Sequence, residues 1–285
     1  MRVAVTGSTG QLGRAVVAAA RADGHEVLGL ARGEAEPCDL TDRQSVDARL
    51  RAWEPELVVH AAGWTDVDGC ERDPSTAQLL NVAMTVLVAE AARRVGAHLV
   101  YVSTNHVFDG EADHPASEAD PTGAVSAYGR SKRDGELVVG DDGATIVRTA
   151  WLASDQPPNL VAAILGAAAR PGTLRFVTDE IAQPTLVTDL APVLLRLGVE
   201  RRGGTWHAVN EGPVSAYDLA REVLEAAGHD PRRVRPIRAA DLVERVAPRP
   251  RNGVLDTRHL RIDGGGGLPH HADPLAALIA RLQAR

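Results

Sequence analysis

Hydrophobic positions in the first half of the chain come in short runs of strand length. "RVAVTG" (2–7), "EVLGL" (26–30), "LVVHAA" (57–62), "HLVYVST" (98–104) and "TIVRTAW" (145–151) are rich in β-branched residues. Between most of them lie alanine- and arginine-rich segments, 12–22, 42–53, 75–95 and 126–139, whose apolar positions repeat with helical spacing. Strand and helix in alternation predict an α/β fold with a parallel sheet covered on both faces. Right-handed crossovers then make the sheet doubly wound.

The second half is punctuated by Pro157-Pro158, Pro171-Gly172, Pro184 and Pro213. Its pattern predicts helices at 159–169, 188–197 and 215–227 and a strand at 204–209. The stretch 231–267, with "DGGGG" at 263–267, reads as loop-heavy. A smaller domain interleaved with the sheet is expected in this half.

Composition narrows the classes. A net charge of -7 argues against non-specific nucleic-acid binding, which needs a basic face. Cys38 and Cys70 have no metal-ligand spacing and do not form a disulfide framework, so a reducing compartment is expected. "MRVAVTG" is too short an apolar run for a signal peptide, and no apolar run approaches the roughly 18 residues of a membrane span. The expectation is a cytoplasmic protein with no membrane or nucleic-acid partner and no metal.

Chemistry begins at "VTGSTGQLG", where Gly7, Gly10 and Gly13 follow the first strand and open a helix. Such a turn lets a phosphate approach backbone N–H groups at a helix N-terminus. With Thr9, Gln11 and Leu12 it forms a candidate dinucleotide loop in a Rossmann-type sheet. Residues 1–152, with returning segments near 186–210, are then the cofactor domain, and 153–285 are mainly the substrate domain. The second strand runs into Arg32, suited to the 2′-phosphate of NADPH, although a solvated surface charge is the plainer account. Glu34 and Glu36 leave NADH open. Asp39 and Leu40 are placed to flank an adenine; alternatively Asp39 caps the helix near 42.

Of 31 basic residues, 30 are arginine and one is lysine, Lys132, four after Tyr128. Three tyrosines in 285 positions give a lone lysine roughly a one-in-a-hundred chance of that spacing. Residues i and i+4 share a helix face, and an ammonium lowers a nearby phenol's pKa. Tyr128 and Lys132 therefore form a candidate proton-transfer pair.

With its G-x-x-G-x-x-G loop, its Y-x-x-x-K pair and the Ser103-Thr104 strand end of "YVSTNHVFDG" (101–110), the chain resembles the extended short-chain dehydrogenases/reductases. The resemblance sharpens to the dTDP-4-dehydrorhamnose reductase family. It is carried by "VVHAAGWTDVDGCE" (58–71), "YGRSK", "IVRTAWL" (146–152), "DEIAQPTLVTDLA" (179–191), "GTWHAVNEG" (204–212) and "RPRNGVLDT" (249–257). It implies that Thr104, Tyr128 and Lys132 are catalytic, and that Ala61, Ala62, Gly63, Asn81 and Ser103 serve the cofactor side. It implies that Val67, Trp151, Gln183, Pro184, Thr185, Arg249 and Asn252 lie towards a sugar nucleotide, with Arg249 and Arg251 available to its diphosphate. The implied reaction is NADPH-dependent reduction of the C4 ketone of a nucleotide-linked 4-keto-6-deoxy sugar. Family analogy adds a homodimer. The family's S-T-D-Y-V-F-D-G reads Asn105-His106 here, and the aromatic after R-T-x-W-hydrophobic is Ala153; both departures are expected at the sugar. A dehydratase would carry T-D-E at 104–106, so dehydration is not expected. A sugar-nucleotide epimerase and a non-catalytic NADP-binding regulatory subunit remain as alternatives.

Overall fold

Six parallel strands organise the computed structural model, which describes residues 1–140 and 143–284. They are β1 (Arg2–Thr6), β2 (Glu26–Leu30), β3 (Leu57–His60), β4 (His98–Thr104), β5 (Ala144–Thr149) and the strand Gly204–His207. Across the sheet the order is Gly204–His207, β5, β4, β3, β1, β2. The chain steps outward from β1 to β2 and then returns to the other side of β1 with β3. The order reverses there, and a crevice opens above the carboxyl ends of β1 and β3, where α/β sheets bind ligands.

Burial on both faces explains why these strands read as continuous apolar runs. On one face Val3, Val5, Leu57 and Val59 pack against Leu12 and Val16 of α1 (Gln11–Ala22) and against the helix Val187–Val199. On the other, Ala4, Val58 and Tyr101 meet Val46 and Leu50 of α2 (Arg43–Trp53) and Met84 and Val88 further along. A separate core gathers Ile164, Leu219, Val223, Leu278 and Ile279 from helices of the second half.

The helices Leu160–Ala168, Val187–Val199 and Ala216–Ala226 lie where the pattern predicts them. Two expectations are corrected. The stretch 231–267 contains the strand Val234–Ile237, paired with Leu174–Val177, and the helix Arg258–Asp263, in which Leu260 is buried. The segment near 75–95, where no apolar run of span length is expected, forms a 21-residue helical run, Pro74–Arg94, long and apolar enough to cross a membrane. Following α3 (Val67–Arg72), the run comprises α4 (Pro74–Gln78), a π-turn (Leu79–Ala83) and α5 (Met84–Arg94). Its apolarity is used against the sheet: Met84, Val88, Ala89, Ala91 and Ala92 are all in the core.

The turn after β1 is held by backbone packing. Gly10 N–H donates to the Gly7 carbonyl at 2.9 Å, and a Cβ on Gly13 would sit 2.1 Å from that same oxygen. Gly13→Ala should therefore lose ~1–3 kcal/mol of unfolding free energy in urea titration, overpacking outweighing the gain in helix propensity. Gly166→Ala, an exposed helical position with open space around it, should instead gain up to ~1 kcal/mol.

Candidate active site

Gly7 turns the chain with φ +66°, and its N–H donates to the Leu30 carbonyl at 2.9 Å. A Cβ here would lie 2.9 Å from Ala62 N, so glycine lets the turn approach the loop after β3. Gly10 caps α1 without a side chain, leaving the first-turn amides directed at the crevice.

Two cavities meet over this turn, sharing Gly7, Thr9, Gly10, Ala61, Ala62 and Gly63. The first, about 550 Å³, adds Arg32, Asp39 and Leu40, with Cys38 and Trp64 unforeseen from the sequence. Asp39 accepts from the Thr41 N–H and hydroxyl, which hold its carboxyl below the usual range. The cap of α2 is Asp42, which accepts from Gln44 and Ser45 N–H, so the capping account of Asp39 falls away. The two nearby acids are engaged elsewhere: Glu34 accepts from Ser8 Oγ at 2.5 Å, and Glu36 pairs with Arg49.

The second cavity, about 670 Å³, takes in Gln11, Leu12 and Gly13 and brings Ser103, Thr104, Tyr128 and Lys132 to one wall. Thr104 ends β4; its Oγ1 accepts from His106 N–H at 3.2 Å. Tyr128 and Lys132 project from α6 (Ala127–Val139), capped by Ser126, whose Oγ accepts from Gly129 N–H. Both side chains are buried. Burial lifts the Tyr128 phenol to about 12, opposed by its hydrogen bond with Thr104. Burial pushes Lys132 down to about 7, opposed by Glu136. The expectation that Lys132 lowers the Tyr128 pKa is therefore corrected for the protein alone: burial dominates both groups, opposed at Tyr128 by Thr104 and at Lys132 by Glu136. Lys132 Nζ lies 4.0 Å over the centroid of the Tyr101 ring.

Asn81 stands behind the wall rather than on it. Its Oδ1 accepts from Trp64 N–H at 2.7 Å, and its Nδ2 donates to Trp64 O and to Ser131 Oγ of α6. Beside it the buried His60 spans Thr6 Oγ1 (2.6 Å) and Thr85 Oγ1 (3.0 Å), and Thr6 Oγ1 accepts from Ala62 N–H. These bonds tie β1, the loop after β3, the π-turn and α6 into one frame, none of it foreseen except Asn81. Burial, aided by the Lys132 charge, drives His60 down to about 3.

The expected substrate residues divide. Val67, Asn105, His106 and Trp151 line the second cavity. Trp151 adopts φ +36°, a strained value for an aromatic residue, while Thr185 N–H donates to its carbonyl. Thr185 and the neighbouring Pro184 are buried, so their part is to hold Trp151. Gln183 spends both ends of its amide on the Leu255 backbone, and Asn252 donates to Ala112 O and His114 O. Arg249 pairs with Asp68 at 2.7 Å and draws that carboxyl down to about 2. Arg251 is exposed. Ala153, expected at the sugar, is instead core, packed with Leu186 and Ile164 among the second-half helices. Gln156–Pro158, read from the sequence only as a break in the pattern, lines the cavity: Gln11 Nε2 donates to Pro158 O, and Ser154 Oγ donates to Gln11 Oε1.

The family described as "RmlD substrate binding domain" matches residues 1–284. A dTDP-4-dehydrorhamnose reductase of Mycobacterium tuberculosis is 37% identical, spanning 98% of this chain and 92% of that protein. A probable dTDP-4,6-dihydroxy-2-methyloxan-3-one 4-ketoreductase of Streptomyces antibioticus is 39% identical, spanning 94% and 90%. The crystal structure of dTDP-4-dehydrorhamnose reductase from Bacillus anthracis in complex with NADP is similar to this fold with a TM-score of 0.92. It is 27% identical and covers 98% of this chain and 99% of that one.

The buried frame has a pH signature. An unfolded chain protonates His60 near 6.5, whereas the folded protein resists until about 3. The unfolded state thus binds more protons in that window, and stability held above 6.5 falls as pH drops, by about 1.4 kcal/mol per unit. Urea unfolding at pH 7.5, 6 and 5 should show that slope reduced by one proton in His60→Gln.

Proposed function

The chain belongs to the RmlD substrate binding domain family, and from that premise we propose that it reduces the C4 ketone of a nucleotide-linked 4-keto-6-deoxy sugar with NADPH. The observation that carries the proposal is the single wall on which Thr104, Tyr128 and Lys132 meet, continuous with the glycine turn.

The residues fit a nicotinamide dinucleotide. Missing Cβ atoms at Gly7 and Gly13 keep the turn tight, and the α1 amides suit a pyrophosphate. Arg32 offers a fork for a 2′-phosphate, while Glu34 and Glu36, the acids that could instead take a ribose hydroxyl, are bonded to Ser8 and Arg49. This supports NADPH over NADH. When bound, the cofactor supplies hydride, which no side chain can.

The protein supplies the proton and the place. Thr104 hydrogen-bonds the substrate oxygen as negative charge grows on it. A phenol raised to about 12 keeps its proton until an alkoxide, a stronger base than the phenolate, has formed; Tyr128 then gives it up. The Lys132 ammonium stabilises the phenolate that remains. Gln156–Pro158 and Trp151 line the cavity, and Tyr128 and Lys132 are themselves buried, which strengthens each of these interactions. Elimination of water would need carboxyl groups beside Thr104. The chain has Asn105 and His106 there, and Asn105 Nδ2 is spent on Gly253 O at 2.9 Å.

In the proposed division of labour, residues 1–152 with 186–210 hold the cofactor and the remainder of 153–285 shapes the sugar-nucleotide side. Val67, His106 and Trp151 face the sugar nucleotide. Arg249 reaches a diphosphate by exchanging Asp68 for it.

Tyr128→Phe should bind NADPH with unchanged affinity in a fluorescence titration. It should turn over dTDP-4-keto-6-deoxy-mannose roughly 10²–10⁴-fold more slowly; retention of near wild-type turnover would remove Tyr128 as the acid. Arg32→Ala should raise the KM for NADPH about tenfold and leave that for NADH within about twofold. Equal effects on both would mean that Arg32 does not meet a 2′-phosphate.

A further inference from the structure

Tyr101 lies beneath the catalytic helix and outside both cavities, fully buried on β4. Its place is fixed laterally: Thr6, His60 and Tyr101 are register partners across β1, β3 and β4. Its ring faces α6, where Lys132 Nζ stands 4.0 Å above the centroid. Its hydroxyl donates to the Lys132 carbonyl at 3.3 Å. The helix accommodates this only because residue 135 is glycine, since a Cβ there would lie 2.2 Å from the Tyr101 oxygen. Ring, hydroxyl and helix backbone are thus locked around one residue, the only lysine in the chain.

We infer that Tyr101 is the positioning residue of Lys132: its π face seats the ammonium within the buried wall. The inference rests on Lys132 being the charged partner of Tyr128. A cation over an aromatic face is attracted to the ring quadrupole, most strongly where water is excluded.

The groups around this ammonium leave the ring a clear part. On its own helix, Glu136 carries a charge but is held in a two-pronged pair by Arg148 of β5, at 2.9 and 2.8 Å. Tyr128, also on α6, is a neutral phenol. From β3, His60 is uncharged near neutral pH. The π-turn contributes Asn81, which has no charge, and the loop after β3 brings the Gly63 backbone. Tyr101 itself, raised well above 10 by burial, remains a neutral ring. With the carboxylate shared and the imidazole neutral, the aromatic face 4.0 Å from the ammonium adds to the attraction of Glu136 in compensating the burial of the charge.

The sole lysine makes a direct test available. Protein labelled with [ε-¹⁵N]lysine shows one side-chain ammonium signal, and its pH titration reads Lys132 without turnover. Wild type and Tyr101→Phe should titrate within a few tenths of a unit of each other, because the ring remains. Tyr101→Leu should titrate about one unit lower. Pentafluorophenylalanine placed at 101 keeps the shape but reverses the quadrupole, so it should shift in the same direction even if the leucine variant fails to fold. kcat/KM should then fall about tenfold at pH values above the shifted titration for the fluorinated protein, with the phenylalanine variant rescuing it. Unchanged titration in the fluorinated protein, or a shift in Tyr101→Phe as large as in the fluorinated one, would overturn the proposal. Failure of every keto-sugar assay would count against the reductase reading while leaving the titration result standing.

Discussion

Keeping one ammonium charged while its side chain is buried is the constraint around which this protein is arranged. Desolvation penalises Lys132 and the ionised form of Tyr128 together, and it outweighs the Glu136 charge at the first and the Thr104 hydrogen bond at the second. The same dryness makes the pair useful, because charge developing in a low-dielectric pocket is stabilised more strongly by fixed groups than it would be in water. The surroundings follow from this. His60 is buried neutral, Glu136 is shared with Arg148, and Asn81 spends its amide on the loop and helix that flank the site.

The parallel sheet delivers that arrangement because its strand ends converge. β1 contributes the glycine turn, β3 the Ala61–Gly63 loop and β4 the Thr104 hydroxyl, all above the point where the strand order reverses. α6 then lies across β4 with Tyr128, Lys132 and Glu136 each four residues apart on one buried face. A helix slipped by one residue would turn all three away, so the glycines at 129 and 135 are informative. A Cβ at the first would meet the His106 carbonyl at 2.1 Å, and at the second the Tyr101 hydroxyl, so both let the helix settle at the depth the site needs.

Much of this was legible in the sequence because its signals are local. Strand runs, helical spacing, the glycine turn and the i,i+4 pair each depend on near neighbours, and the structure has them where the pattern places them. What the sequence did not disclose depends on long-range contact. Nothing local marks Tyr101 as a seat for Lys132, His60 as a bridge between Thr6 and Thr85, or Gln156–Pro158 as a wall joined to Gln11. The apolar run near 75–95, read from its spacing as a helix, reaches the length of a membrane span in the fold and covers a sheet face. Resemblance brought Gln183 and Asn252 towards the substrate, whereas here their amides fasten backbone from 112–114 and 255.

The adjacent departures at 105 and 106 separate on physical grounds. Asn105 Nδ2 donates to the Gly253 carbonyl, a bond that a carboxylate, having no proton to give, could not make. The amide therefore fastens the "RPRNGVLDT" segment to the end of β4, and its exchange for aspartate would leave Gly253 O facing a negative charge. His106 makes no such bond through Nδ1, which is buried without a partner. Its ring stands edge-on to Tyr128 at 5.4 Å, and burial with the charges of Arg249 and Arg245 holds it neutral, at about 4. A neutral imidazole beside the acid adds shape and one hydrogen-bonding nitrogen without a competing charge. Both departures line the cavity, the first with its amide spent on the scaffold and the second with a buried, unpartnered ring nitrogen.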